Sequence, residues 1–372
     1  MSRVACLAVT LLLLAAPAAL AQQGQNTEAD EGGSGRTQQS ETTLYDRLLA
    51  DYKDDYLAVG ALVQTVVDVR PEGDADQGSQ IVVAAARLSL SGTLDERFGY
   101  IVSGDFSSPT PILDARVSYR PADNVRLAAG RYKAPFSREL LTSAANIDFV
   151  NRARVVRTLA PGRVVGVGAE LGTETAVTAR AGVFNAVFAE AIDRVGSDEG
   201  GAQPGRFLFV GRLAARTPAE RSGADGVRLS AGANAVYETT DGGPRPDDAE
   251  PVGDRALLGA DARLRAGRFL FAAEGIVEVV DTPAGSIAGD LGWDWNRAGG
   301  YVTAGVDLAP AHRVLARLDA FENRADVLLG YNVTLSDAAG LQLNVGFPTD
   351  SADARTGPER DLRFLANVQI AF

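Results

Sequence analysis

Cysteine, histidine and lysine are nearly missing from this chain of 372 residues. It has one cysteine, Cys6, one histidine, His312, and two lysines, Lys53 and Lys133. Cys6 lies in an N-terminal apolar run expected to be removed on export, so the mature chain offers no disulfide and no thiol for nucleophilic or soft-metal chemistry. A single histidine, placed at an expected tight turn, is poor material for a base-activated nucleophile. Neither an enzyme nor a cofactor or metal site is therefore expected. Long apolar runs are lacking too. Beyond the N-terminal segment, polar or charged residues interrupt every apolar stretch well short of the ~20 residues that a spanning helix needs. Lys and Arg total 36 against 48 Asp and Glu, a net charge of −12; no nucleic-acid partner is expected of so acidic a chain.

The N-terminus has the form of an export signal. Arg3 precedes an apolar run from Val4 to Ala16, followed by Pro17-Ala18-Ala19-Leu20-Ala21 before Gln22. This is a charged start, a short apolar core and an A-x-A cleavage site, so residues 1–21 are expected to be a signal peptide. Residues 22–55 form an acidic tail, expected on the periplasmic side. Its first part lacks a hydrophobic pattern, and Leu44, Tyr45, Leu48, Leu49 and Tyr52 are spaced for a short amphipathic helix.

From Tyr56 onward the chain alternates. The last stretch shows it best: Leu362, Phe364, Ala366, Val368, Ile370 and Phe372 share one side of a strand, and Arg363, Asn367 and Gln369 lie on the other. Sixteen such segments are expected, at 56–70, 80–91, 96–107, 112–120, 124–133, 164–172, 175–185, 206–217, 226–238, 254–266, 268–281, 299–309, 312–323, 325–336, 339–347 and 361–372. After the first strand, long and short connections alternate. Among the short ones are Pro121-Ala122-Asp123, Gly267, Pro310-Ala311 and Asp337-Ala338. Many weakly apolar strands, an even count, and turns short at one end and long at the other are the pattern of an all-β transmembrane antiparallel barrel over residues 56–372, in a bacterial outer membrane. The connection at Arg324 is short for the end where long loops are expected.

The apolar row of each strand is assigned to lipid, because an arginine at the bilayer midplane costs ~2–4 kcal/mol. By that argument Arg87, Arg116, Arg120, Arg180, Arg212, Arg216, Arg228, Arg263 and Arg317 face the lumen, which in a barrel of this size is expected to hold water. Acids concentrate in the tail and loops, for example Glu72, Asp74, Asp76, Asp193, Asp198, Asp241, Asp247, Asp248 and Glu250. These are solvated faces or sites for cations bridging to lipopolysaccharide.

The segment 134–163, between strands five and six, is long and not of low complexity. Phe136, Leu140, Leu141, Ile147, Phe149 and Val150 would not stay in water, so the segment is expected to fold into the barrel. It would bring Arg138, Arg152, Arg154, Arg157 and Arg163 to a constriction, with Arg131 and Lys133 at its entrance. Cations gathered at a narrowing favour anions. Strand five is ambiguous. If Tyr132 faces lipid, Arg131 and Lys133 face the lumen, but so would Val125 and Leu127; a bulge near Gly130 would resolve this.

The run Gly130-Arg131-Tyr132-Lys133-Ala134-Pro135-Phe136-Ser137, then Leu141-Thr142-Ser143, Ala160-Pro161-Gly162-Arg163 and Gly166-Val167, resembles the phosphate-selective porin O and P family. The likeness is clearest from about Phe98 to Leu171. It implies sixteen-stranded trimers with the third loop folded inward, and phosphate or similar anions drawn through by arginines and lysines. The chain has one barrel lysine, Lys133, where a phosphate site is expected to use several basic residues, so phosphate and general anion selectivity both stay open. The expected function is a passive outer-membrane channel for small anions; the alternative is a structural or adhesive barrel without solute selectivity. Expected partners are outer-membrane lipid and lipopolysaccharide, small anions, two further copies of the chain, and the barrel-assembly machinery at the C-terminal strand.

Overall fold

The structure, a computed structural model, describes residues 56–70, 79–109, 111–172, 176–185, 207–217, 227–239, 254–281, 296–348 and 362–372. The expected signal peptide, the acidic tail, and the loop acids named above lie outside the described residues.

Sixteen antiparallel strands close into one barrel. They are β1 (Ala58–Val69), β2 (Gln80–Thr93), β3 (Phe98–Asp105), β4 (Ile112–Ala122), β5 (Val125–Lys133), β6 (Arg163–Leu171), β7 (Val177–Asn185) and β8 (Phe207–Arg216). The other eight are β9 (Arg228–Glu238), β10 (Asp254–Ala266), β11 (Phe269–Asp281), β12 (Arg297–Ala309), β13 (His312–Phe321), β14 (Arg324–Thr334), β15 (Ala339–Pro348) and β16 (Arg363–Ala371). Each strand pairs with its neighbours in sequence. β1 pairs with β2 and also with β16, in a register running from Leu62 opposite Ala371 to Val69 opposite Phe364. That last pairing leaves no open edge, the condition for a sheet in hydrocarbon. Expected and observed strand ends differ by no more than two residues, because turn residues interrupt the alternation cleanly. At Gly267, φ of 54° supplies the left-handed turn that brings Ala266 opposite Phe269. The connection before Arg324 is indeed tight, with Phe321 and Arg324 in register across Glu322-Asn323.

Alternation sets the two faces. In β8, Phe207, Phe209 and Leu213 are exposed on the outer row, whereas Leu208, Val210 and Arg212 on the inner row are buried. The outer row follows the apolar pattern. The inner row is not uniformly wet: Leu208, Val236, Leu257, Ile276, Leu270 and Leu315 are buried on it, each within 3% of full burial. Something apolar fills part of the lumen.

Strand β5 differs from the expectation at Tyr132 and at Gly130. Tyr132 faces inward, its ring edge-on to Phe184 at 5.3 Å with the Arg116 guanidinium 5.5 Å from its centroid. No register shift occurs at Gly130, which pairs with Arg116 and Gly166; the irregularity lies between Tyr119 and Ala122. Gly130 has φ of 124°, and a Cβ there would sit 2.1 Å from the Ala115 carbonyl oxygen, so only glycine fits.

Candidate functional site

The segment between β5 and β6 fills part of the lumen. Its sequence breaks the strand at Ala134-Pro135 and then folds in three short pieces: α1 (Arg138–Leu141), a 3-10 turn at Ala144–Asn146, and α2 (Arg154–Leu159). Ser137 caps α1, its Oγ accepting from the Leu140 N–H at 3.0 Å. Phe136, Val155, Val156 and Leu159 then pack with Phe184, Leu208, Val236, Leu257, Ile276, Tyr301 and Phe321 of the inner wall. Phe149 packs with Leu270 and Leu315. Burying each such side chain contributes ~1.5–3 kcal/mol, which is why this segment lies against the wall.

So short a folded segment leaves many backbone groups without secondary-structure partners, and inward polar side chains supply them. The Gln64 amide donates to the Ala144 carbonyl at 3.4 Å, Gln369 to Ala145 at 2.9 Å, and Gln342 to Ile147 at 2.8 Å. Asn332 donates to the Asp148 carbonyl, and the Asn344 side-chain oxygen accepts from the Val150 N–H. Asp319 accepts from the Arg154 N–H at 2.9 Å. The sequence placed Gln369 on the polar side of its strand but pointed to no role for these amides. Their signal is a row of Asn and Gln with a period of two in β14 to β16, which a lumen facing only water does not require.

On this packed side the arginines have carboxylate partners, some of them shared: Glu278 serves Arg255 and Arg297, and Asp148 serves Arg263 and Arg313. Arg317, expected to line water, is 2% exposed. Its Nη2 donates to Glu139 at 2.7 Å, its Nη1 to the Asn151 carbonyl, and its guanidinium lies 4.3 Å from the Phe149 ring centroid and 4.8 Å from that of Tyr301. Removing one member of such a buried pair costs ~3–5 kcal/mol, because the other charge is left alone in a dry site. Arg263 pairs with Asp148 of the inserted segment at 2.8 Å. Arg255 joins Glu278 and Glu238 and donates to the Leu159 carbonyl. Arg154, expected at the constriction, pairs with Asp326 of β14.

Toward β3 to β8 the lumen stays open. Two cavities of about 280 and 290 Å³, sharing Leu141 and Arg180, lie between α1 and the wall. Their linings hold six basic residues, Arg116, Arg126, Lys133, Arg138, Arg180 and Arg212, against two acids, Asp114 and Glu170. Arg180 and Arg126 share Glu170 at 2.7 and 3.6 Å. Arg212 is buried, its guanidinium 3.0 Å from Asp261. Burial, with Arg263 adding to it, pulls the Arg138 guanidinium below its ordinary value, and burial does the same at Arg152; both stay charged. This is where an anion would meet unbalanced positive charge.

The remaining expected residues are scattered. Lys133 donates to the Leu140 and Thr142 carbonyls at 2.5 and 2.9 Å, and Arg152 to those of Glu139 and Thr142 at 2.9 and 2.7 Å. They tie the root of the segment together. Arg163 pairs with Asp114 at 3.2 Å and Arg87 with Asp105 at 2.7 Å. Arg131 pairs in register with Ala115, lines neither cavity, and its Nε donates to the Leu113 carbonyl. Arg157 is exposed in α2. Arg120, Arg216 and Arg228 are exposed at the end where the turns after β4 and β10 lie. His312 is engaged with Tyr331, its Nδ1 2.8 Å from the hydroxyl.

Comparison with known proteins agrees with this architecture. An anion-selective porin from Comamonas acidovorans superposes with a TM-score of 0.59 at 16% identity, over 86% of this chain and all of that one. OmpT of Vibrio cholerae, in its trimer form, gives 0.58 at 11% identity, over 86% of this chain and all of its own. The outer-membrane channel DcaP of Acinetobacter baumannii gives 0.55 at 12% identity, over 85% and 97%. No curated protein matches the sequence. The family model for phosphate-selective porin O and P matches residues 61–317. The chain belongs to that family and is a porin of the bacterial outer membrane.

Proposed function

We propose that this porin is a passive channel preferring small anions, phosphate among them, and that solutes move along the β3–β8 side of the lumen. The observation that carries it is the surplus of basic residues around the open cavities, six against three acids once Asp261, the partner of Arg212, is counted, with Arg138 held by α1 on one side and Arg116, Arg126 and Arg180 on the other. Low-dielectric walls on both sides concentrate that field on a passing ion. Arg87 and Arg163 stand at the margin with their own carboxylates. The inserted segment narrows the path by occupying the opposite side. The trimer form of the Vibrio cholerae protein supports the same assembly here. Residues 1–21 act as the export signal, and 22–55 as a periplasmic tail.

Single-channel recording in planar bilayers tests this. Discrete conductance steps and a reversal potential of anion-preferring sign in a salt gradient are expected, and phosphate against chloride then ranks the anions. Cation preference would defeat the proposal; absence of steps from a folded barrel would favour a structural or adhesive role.

A further inference from the structure

Glu139 is an acid at the heart of a lumen read above as anion-preferring. It is 6% exposed, and each of its polar groups is engaged. Oε1 accepts from Arg317 Nη2 at 2.7 Å and Oε2 from the Ala153 N–H at 2.8 Å. Its carbonyl accepts from Arg152 Nε at 2.9 Å, and its own N–H donates to Glu274 Oε2 at 3.2 Å. One residue of α1 thus binds two strands of the wall, β13 and β11, and the chain leading into α2. Arg317 doubles the connection, donating to the Asn151 carbonyl while its guanidinium lies between Phe149 and Tyr301.

We propose that Glu139 is the strut that holds the inserted segment across the lumen, a positioning residue for permeation and not a charge that solutes meet. Its carboxylate is consumed by a guanidinium and a backbone N–H, so little of its field reaches the open cavities. Its loss cuts contacts within the segment and contacts to the wall together. This rests on the channel reading for its functional consequence, but not for its structural one.

Two roles give opposite outcomes. A pore-facing acid repels anions, so Glu139→Gln would raise anion preference and leave the segment in place. A strut gives a wider, noisier conductance and a loosened segment. Trypsin reads the second outcome without any transport assay, because Arg152, Arg154 and Arg157 become cleavable when the segment leaves the wall. Cleavage from a transiently open form follows that form's population, so Glu139→Ala in folded, detergent-held barrels should be cut at these arginines at least about a hundredfold faster than wild type. Glu139→Gln, which keeps an oxygen for Arg317 but loses the charge, should fall between. Glu170→Gln, on the open side, should shift reversal potential and leave cleavage unchanged. Should Glu139→Ala fail to give the heat-modifiable migration of a folded barrel, Glu139→Gln carries the comparison. Wild-type cleavage rates in both Glu139 variants, or faster cleavage in Glu170→Gln than in Glu139→Gln, would overturn the proposal. If the wild-type barrel gave no conductance steps, the channel reading would fall while the cleavage comparison still decided the strut.

Discussion

The two sides of the lumen use the same residue type for opposite ends. Toward β10 to β16, arginine is matched, buried at Arg317 with Glu139 and Arg255 with Glu278, and half-buried at Arg263 with Asp148. Toward β3 to β8, arginine borders open cavities and outnumbers the acids there. What separates them is the inserted segment. Where it covers the wall, water is excluded, and a charge left unpaired would be too costly to keep. Where it leaves the wall bare, water solvates a guanidinium and permits a surplus. Positive charge in a lumen is thus evidence of a solute path only where it lies beside open space.

The largest effect should come from the packed side. Arg317→Met should destabilise the barrel by ~3–5 kcal/mol by leaving Glu139 buried and unpaired, seen as a lowered denaturation midpoint in detergent. Equal midpoints would mean that the pair is not dry. On the open side stability should hardly change while selectivity does. A guanidinium about 8 Å from an ion in water is worth ~0.5 kcal/mol, attractive for an anion and repulsive for a cation, so Arg138→Ala with Arg180→Ala should shift the anion-to-cation permeability ratio by ~2 kcal/mol before screening, about thirtyfold. The same pair of substitutions at Arg216 and Arg228, exposed at the barrel end, should alter it less than about twofold. Anion preference should also fade with salt, because the screening length shrinks from ~10 Å at 0.1 M to ~3 Å at 1 M; reversal potentials across that range would show it. Smallest is Asn344→Ala, which deprives the Val150 N–H of its acceptor and should cost about 1 kcal/mol with little change in selectivity.

Much of the barrel was legible beforehand because strand alternation and turn chemistry are local. The register from β10 to β11 follows from one glycine, and the oily outer row from the expense of charge in lipid. The site was harder. Arg180 borders an open cavity, but Arg317 carried the same sequence signature, an arginine on the polar row of a strand, and lies in the driest part of the lumen. Lys133 drew notice through the motif it shares with a family, yet its ammonium is occupied by two carbonyls at the root of the segment. Tyr132 was expected at the lipid face; its packing on Phe184 puts it inside.

Periodicity, turns and the scarcity of long apolar runs were enough to determine that this chain closes a barrel and, β5 apart, which row of its strands meets the bilayer, since every such residue faces the same choice between hydrocarbon and the interior. The interior itself is not uniform. Which arginines are sealed and which stay wet depends on where residues 134–162 come to lie, and that was decided by contacts between residues more than a hundred positions apart, such as Asp148 with Arg263 and Glu139 with Arg317. No local pattern encodes such pairings, because they exist only once the wall has closed and the segment has found the side of it that its apolar residues fit.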